Sequence, residues 1–500
     1  MLFNSFSYFI FFPIVVALYF TIPHKYRTVF LLLSSCIFYM AFVPYYILIL
    51  FAVILIDYYA GIKIEESLGS KRKAYLLLSI ISTCIVLMFF KYFNFFNANL
   101  LGIANFFGWN YPIGFLKIIL PIGLSFHTFQ SLSYVIEVYW KKQKAEHNFL
   151  TYSLYVMFFP QLVAGPIERP QNLLHQFYER HYFEYERVIL GLRKMLWGFF
   201  KKIVIADNLA LYVSRVFDSP HDYSSPTIFI AIFFFAIQIY CDFSGYSDIA
   251  VGSAKVMGFN LMENFKNPYF SLSIPEFWRR WHISLFTWFK DYIYIPLGGS
   301  RVIFSRWCFN IILVFLLSGL WHGANWTYII WGLLHGFFLV GYRLAGIFTK
   351  KISNFLQLFP SAFKIFINWL ITFLLVLNSW AIFRAKNISD AYYLLINFWV
   401  GLFNIFKSIS ASIIHFNLYP LKNILQKIFA PLPGSSFYFF FYLGLIAILT
   451  IVEIIDYKFN LLKIVSIQRR WIRWLIYFAA VLGIMNIGGT RQLEFIYFQF

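Results

Sequence analysis

Runs of about 20 apolar residues, recurring from one end of the chain to the other, constrain what this sequence can fold into. The clearest lie at 6–23, 28–60 (broken at Pro44), 74–93, 113–140, 226–241, 307–321, 326–342, 363–383, 437–456 and 474–487. The runs are continuous and lack inside/outside alternation, which points to membrane-spanning helices rather than a barrel. Composition agrees, with 61% hydrophobic and 12% charged residues, against about 45–50% apolar and about 25% charged in a soluble domain. Too few polar side chains remain to coat a water-facing surface on 500 residues. The predicted fold is an all-α polytopic membrane protein, with about ten to twelve transmembrane helices plus re-entrant or interfacial helices.

The first run reads as a retained span. Its Met-Leu-Phe-Asn-Ser start carries no Lys or Arg, and no small-residue cleavage site follows. Cys36, Cys84, Cys241 and Cys308 lie singly in apolar surroundings without a CxxC. They read as small thiols, and neither a disulfide nor a metal site is expected. The chain holds 41 Lys+Arg against 21 Asp+Glu, a formal charge of +20. In a soluble protein that excess would point to nucleic acid. Here the basic residues suit short loops at the cytoplasmic surface of the lipid bilayer, and no nucleic-acid partner is expected.

Loop charges set an orientation. Lys25 and Arg27, then Lys63, Lys71, Arg72 and Lys73, then Lys141, Lys142 and Lys144 alternate with connections poor in Lys and Arg. This puts the N-terminus outside, and Lys458, Lys463, Arg469, Arg470 and Arg473 form a later cytoplasmic cluster. Between about 158 and 306 the simple pattern fails, because short apolar pieces alternate with charges and breakers such as Pro160, Gly165, Pro166 and Pro296. Re-entrant or interfacial segments enclosed by protein suit that stretch. No repeat or linker divides the chain, so 1–500 reads as a single membrane domain.

Two histidine segments could carry chemistry. In the first, Ser273 and Glu276 have capping-box spacing and Pro275 fits a first helical turn. A helix running to about Asp291 is predicted, with Trp278, His282, Leu285 and Phe289 on one face and Arg280, Ser284 and Asp291 on another. Such a helix could simply anchor at the interface through Trp and Arg. In the second, His322 joins two apolar runs between Trp321 and Gly323. An ionisable residue at membrane depth costs several kcal/mol unless paired, which makes function the default. Asn325, one turn on, is placed to orient the ring, and Gly323 to leave room for substrate. The bland alternative is a packing histidine bonded to a neighbouring carbonyl. His335, inside Gly332-Leu-Leu-His-Gly336, reads as close helix packing and, on one continuous helix, would face away from His322. His127, near Gln130, Ser131 and Glu137, reads as a polar seam, and no histidine has HExxH spacing.

At these segments the sequence resembles the membrane-bound O-acyltransferase family, and within it the bacterial alginate O-acetyltransferase (AlgI-type) branch. The motifs that carry the resemblance lie at 158–169, 240–248, 277–282, 291–299, 319–323 and 495–500. They imply a ring of tilted helices around a thin centre with a tunnel joining the two faces. By residue-level carry-over, His322 takes the place of the family's intramembrane catalytic histidine and His282 its second signature histidine. The expected roles are His322 as general base and His282 as orienter of the thioester or stabiliser of the oxyanion, with Trp281, Trp321, Gly323 and Asn325 shaping the site.

The resemblance further implies acetyl-CoA, or another acyl thioester, as a donor substrate from the cytoplasm. It implies an SGNH-type partner, periplasmic or membrane-anchored, polysaccharide-export machinery, and a place in the bacterial inner membrane. The expected activity is membrane O-acyl transfer for O-acetylation of an extracytoplasmic polysaccharide, alginate-like or another cell-envelope polymer. Two alternatives stay open: D-alanyl transfer to teichoic acid, and a non-enzymatic transporter or channel whose polar pathway uses Glu137, Asp242 and Asp248.

Overall fold

The computed structural model describes every residue except 118–120, 164, 350–359, 433–435, 489–494 and 497–500. Among the described residues every regular element is helical. Nine of these helices are long and apolar enough to cross a membrane, and the protein is a multi-pass membrane protein. Pro44 separates the second apolar run into His24–Met40 and Tyr46–Glu66. Residues 74–93 belong to a longer helical stretch, Gly69–Phe107, that passes through a π-helical segment at Met88–Tyr92.

Three expectations about the helices need correction. Among the described residues the run 113–140 yields one helix, Leu124–Tyr139, 16 residues long, which begins after Pro121 and the left-handed Gly123 (φ +77°). Ile388–Ile414 was not expected as a span, yet it is 27 residues long and among the nine. Its mean hydropathy of 1.4 is lower than that of most of the other spans, and one of its polar residues, Asn397, accepts the Ser225 hydroxyl at 2.6 Å. Finally, the region 158–306 contains a 33-residue helix, Ser225–Met257, which runs well beyond the apolar run 226–241.

The described residues form two compact units. One comprises Met1–Leu196, Tyr246–Glu263 and Lys290–Tyr292. Within it Tyr46–Glu66 packs on Gly69–Leu87 and Leu124–Tyr139. The buried Asp57 sits at that junction and accepts from the hydroxyls of Ser79 (2.5 Å), Thr83 (3.2 Å) and Ser131, which satisfies a polar group that lipid could not. Arg169 pairs with Asp291 at 3.1 Å, and Tyr292 donates to Glu137 at 2.8 Å. Arg169 of the 158–169 motif and Asp291 and Tyr292 of the 291–299 motif thus help to tie this unit together.

The other unit comprises Trp197–Gly245, Asn264–Phe289 and Ile293–Phe500. Here Phe304–His322 and Trp326–Thr349 form a helical hairpin that packs in antiparallel register. A Cβ on Gly319 would stand 2.3 Å from the Tyr328 carbonyl, and one on Gly332 would stand 2.2 Å from the Phe315 carbonyl. Small residues therefore let the two backbones touch, as in other membrane helix pairs. Ser361–Arg384 packs on the second arm, and Ile388–Ile414 packs on Ser361–Arg384.

Candidate active site

Both candidate histidines lie in this second unit. His322 is the last residue of Phe304–His322 and is 4% exposed. Its ring is enclosed edge-to-face by Trp321 and Trp331, each 4.9 Å away between centroids, and by Phe383 at 5.4 Å. Trp321 also lies 6.1 Å from the His282 ring, so one indole borders both imidazoles. Trp281, 1% exposed, stacks on Phe277 and lies 5.0 Å from Trp380.

His282 is not on a continuous helix, and its expected face-sharing with Trp278, Leu285 and Phe289 is corrected here. The Ser273 half of the capping box forms as the spacing predicts, with Glu276 N–H donating to Ser273 Oγ at 3.3 Å and starting a helix over Ile274–Arg280, while the Glu276 carboxylate accepts from Leu272 N–H at 2.8 Å. That helix stops at Trp281, which is extended, and a new one begins at Ile283. Between them His282 has φ +44°, a left-handed conformation that side chains other than glycine rarely adopt. Asn264 holds the break. Its Oδ1 accepts from His282 Nδ1 (3.2 Å), from Ser284 N (3.2 Å) and from Ser284 Oγ (2.8 Å), while its carbonyl accepts from Ile283 N at 2.9 Å. Strain of this kind persists where surrounding contacts over-determine the backbone, and such places cluster at functional sites.

The chemistry of the His282 ring follows from this clamp. An acceptor on Nδ1 places the proton there and leaves Nε2 as the lone-pair nitrogen. Burial pushes the pKa down from 6.5 to about 3, so the ring stays neutral. A neutral ring with its proton given to Asn264 presents Nε2 as an acceptor and is not built to donate to an oxyanion.

Two further site expectations are corrected. Asn325 does not orient His322: its Nδ2 donates to the Lys386 carbonyl at 3.0 Å, and its Oδ1 accepts from Thr327 N–H at 3.1 Å. It caps the following helix, as short polar side chains commonly do. Nor does Gly323 leave room for a ligand, since a Cβ there would lie 2.2 Å from the Tyr328 ring. The space beside the glycine belongs to that tyrosine.

Sequence reasoning missed four contributors. His335, fully buried, lies 5.0 Å from Trp331 on a different helix from His322, so the single-helix argument that turned it away does not apply. Its Nδ1 accepts from Trp278 Nε1 at 3.2 Å, which puts its proton on Nε2. Trp331 and Trp380 are each 1% exposed, and their indole N–H groups have no acceptor among the described residues. Leaving such a donor unsatisfied costs about 1–3 kcal/mol. The only signal for these residues was aromatic density near His322, which a core would show equally. Asn264 gave no signal.

A support reaches His282 from the C-terminal segment. Phe495 packs on Phe243 at 5.4 Å, and Phe243 packs on His282 at 4.6 Å. The Ile496 N–H donates to Asp242 at 2.9 Å, and Asp242 pairs with the buried Lys202 at 2.8 Å. Lys202 also meets Asp207 at 2.9 Å, within and after the π-helical segment Phe200–Ala206. Asp242 and Glu137, considered above for a polar pathway, are thus each held by a local partner. The rest of the 495–500 motif, 497–500, lies outside the described residues.

The family model for the membrane-bound O-acyltransferases matches residues 54–383, which contain His282, His322, Trp331 and Trp380. This chain belongs to the membrane-bound O-acyltransferase family. It is 40% identical to the Pseudomonas aeruginosa protein named "Probable alginate O-acetylase AlgI", over 77% of this chain and 72% of that one. It is 37% identical to a peptidoglycan O-acetyltransferase of Helicobacter pylori, over 72% of this chain and 71% of the relative. A teichoic acid D-alanyltransferase of Bacillus subtilis is 29% identical over 46% of this chain and 60% of its own length. Membership makes the protein a membrane O-acyltransferase and favours covalent chemistry over passive transport. Phe383, the last residue of the family match, is one of the rings around His322.

Proposed function

We propose that the protein takes an acetyl group from cytoplasmic acetyl-CoA and passes it across the membrane for O-acetylation of an extracytoplasmic polysaccharide. The observation that carries this reading is the His322 imidazole, 4% exposed at the end of an apolar helix and walled by aromatic rings. His322 acts as general base. It removes the acceptor hydroxyl's proton as that oxygen bonds to the thioester carbonyl carbon. When the C–S bond breaks, the imidazolium returns the proton to the departing thiolate. A positioned base of this kind is worth about 10²–10⁴ in rate. His282 accepts a hydrogen bond from the donor or acceptor substrate through Nε2 and so orients it.

Acetyl is favoured over D-alanyl because the relatives named for acetyl transfer match at 37–40% over more than 70% of this chain, against 29% over 46%. The polymer is alginate-like or another cell-envelope polysaccharide. Basic loops at 63–73 and 141–144 suit a cytoplasmic mouth for an anionic coenzyme, with the N-terminus outside and the protein in the bacterial inner membrane. An SGNH-type partner completes transfer to the polymer, working with the polysaccharide-export machinery. The residues with chemical potential are buried, and a hydrated polymer reaching them would shed much of its water. The test is polymer ester content in cells expressing His322→Ala at normal membrane abundance. Loss of ester supports the reading, and near-wild-type ester refutes it.

A further inference from the structure

The indoles of Trp331 and Trp380 carry donors that no described residue uses. Their rings lie nearly parallel, 21° and 6.0 Å apart. Other tryptophans of the same unit are satisfied: Trp278 donates to His335, Trp307 to the Tyr294 hydroxyl and Trp369 to the Tyr269 carbonyl. Unpaired buried polar groups are rare in native proteins, and each calls for an explanation. Position supplies one here. Trp331 stands edge-to-face with His322, 4.9 Å away at 86°, and Trp380 stands 5.0 Å from Trp281, the neighbour of His282.

A thioester carbonyl attacked beside His322 gathers negative charge on its oxygen. Fixed N–H donors in a water-poor site stabilise that charge strongly. His282 does not fill this role, because its Nδ1 proton is given to Asn264 and its ring stays neutral. We propose that Trp331 donates its indole N–H to the acyl carbonyl oxygen as the tetrahedral intermediate forms, with Trp380 as second donor. This rests on the acyl-transfer reading above. In the step, the acceptor oxygen bonds to the carbonyl carbon while its proton passes to His322. The carbonyl π electrons move onto the oxygen facing Trp331. The carbonyl then re-forms, the C–S bond breaks, and coenzyme A leaves as the thiol with the proton from His322.

The test uses membrane vesicles from the producing cells, holding the full-length protein and its partners, supplied with labelled acetyl-CoA. Trp331→Phe keeps an aromatic ring and removes the N–H. We expect kcat to fall on the order of 100-fold, as for loss of one oxyanion donor, while KM for acetyl-CoA stays within about threefold. Trp380→Phe shows a smaller fall of the same kind. Should Trp331→Phe not accumulate, 3-benzothienylalanine at position 331 keeps the ring outline with sulfur in place of N–H, and the same loss is expected. A second readout is the carbonyl stretch of ¹³C-labelled acetyl-CoA bound to purified His322→Ala protein. It should lie below that of free acetyl-CoA, and adding Trp331→Phe should return it toward the free value. Unchanged kcat, a loss confined to KM, or a carbonyl band indifferent to Trp331 overturns the proposal. Wild-type vesicles that transfer no label reject the acyl-transfer reading instead.

Discussion

His282 Nδ1 donates to Asn264 Oδ1 at 3.2 Å across a backbone break where His282 itself adopts φ +44°. The pair couples conformation to chemistry, since the bond that holds the break also fixes the tautomer. His282→Ala and His282→Gly should both lose activity, but their stabilities should differ. A left-handed residue other than glycine pays roughly 1–2 kcal/mol, so the glycine variant should melt no lower than the alanine variant in detergent. A glycine variant clearly less stable than alanine would contradict the strained geometry.

Acid should destabilise the protein partly through His282. Its folded pKa of about 3 lies below the ordinary 6.5. Between those values the unfolded chain binds a proton that the folded one refuses, so stability is present above pH 6.5 and is lost as pH falls toward 3. The loss attributable to this group reaches about 2 kcal/mol by pH 5. Melting curves from pH 7.5 to 5 should therefore fall more steeply for the wild type than for His282→Gln. Parallel slopes would count against a buried neutral ring.

Asn325→Ala should separate a capping role from an orienting one. Loss of the bond from Thr327 N–H should lower stability by about 0.5–2 kcal/mol, while kcat stays near wild type. A hundredfold fall in kcat with unchanged stability would restore Asn325 to the His322 site.

The hairpin glycines should rank by what surrounds them. Gly319→Ala and Gly332→Ala drive a methyl into carbonyl oxygens 2.3 and 2.2 Å away, and overpacking against backbone costs about 1–3 kcal/mol or more. Gly341 has nothing within 4 Å, so Gly341→Ala should be neutral or slightly stabilising, by about 0.5–1 kcal/mol from helix propensity. Equal melting temperatures for all three variants would mean that the helices do not pack this closely.

Lys202 bridges Asp207 and Asp242, and it is 1% exposed. Lys202→Met alone leaves the buried Asp242 and the half-buried Asp207 without their cation, a loss of about 3–5 kcal/mol. Membrane abundance should drop sharply. Adding Asp207→Asn and Asp242→Asn should recover part of it, because the uncompensated charge is removed. A triple variant no better than the single would point to a role for the lysine beyond neutralisation.

The sequence by itself determined the protein's class, because hydropathy over some 20 residues is a local, additive property that no distant contact reverses. It also determined which histidines to watch, since His282 and His322 sit in the family-like motifs, and it located the N-cap at Ser273. Tertiary structure decided what those residues do. The break at His282 is held by Asn264, 18 positions away. The gap beside Gly323 is filled by Tyr328, and Asn325 turns to a carbonyl 61 positions on. His335 comes beside the His322 cluster because a hairpin, rather than one helix, joins them. Hydrogen-bond direction, ring tautomer and backbone strain depend on partners brought together by folding, and no periodicity along the chain encodes which partner arrives.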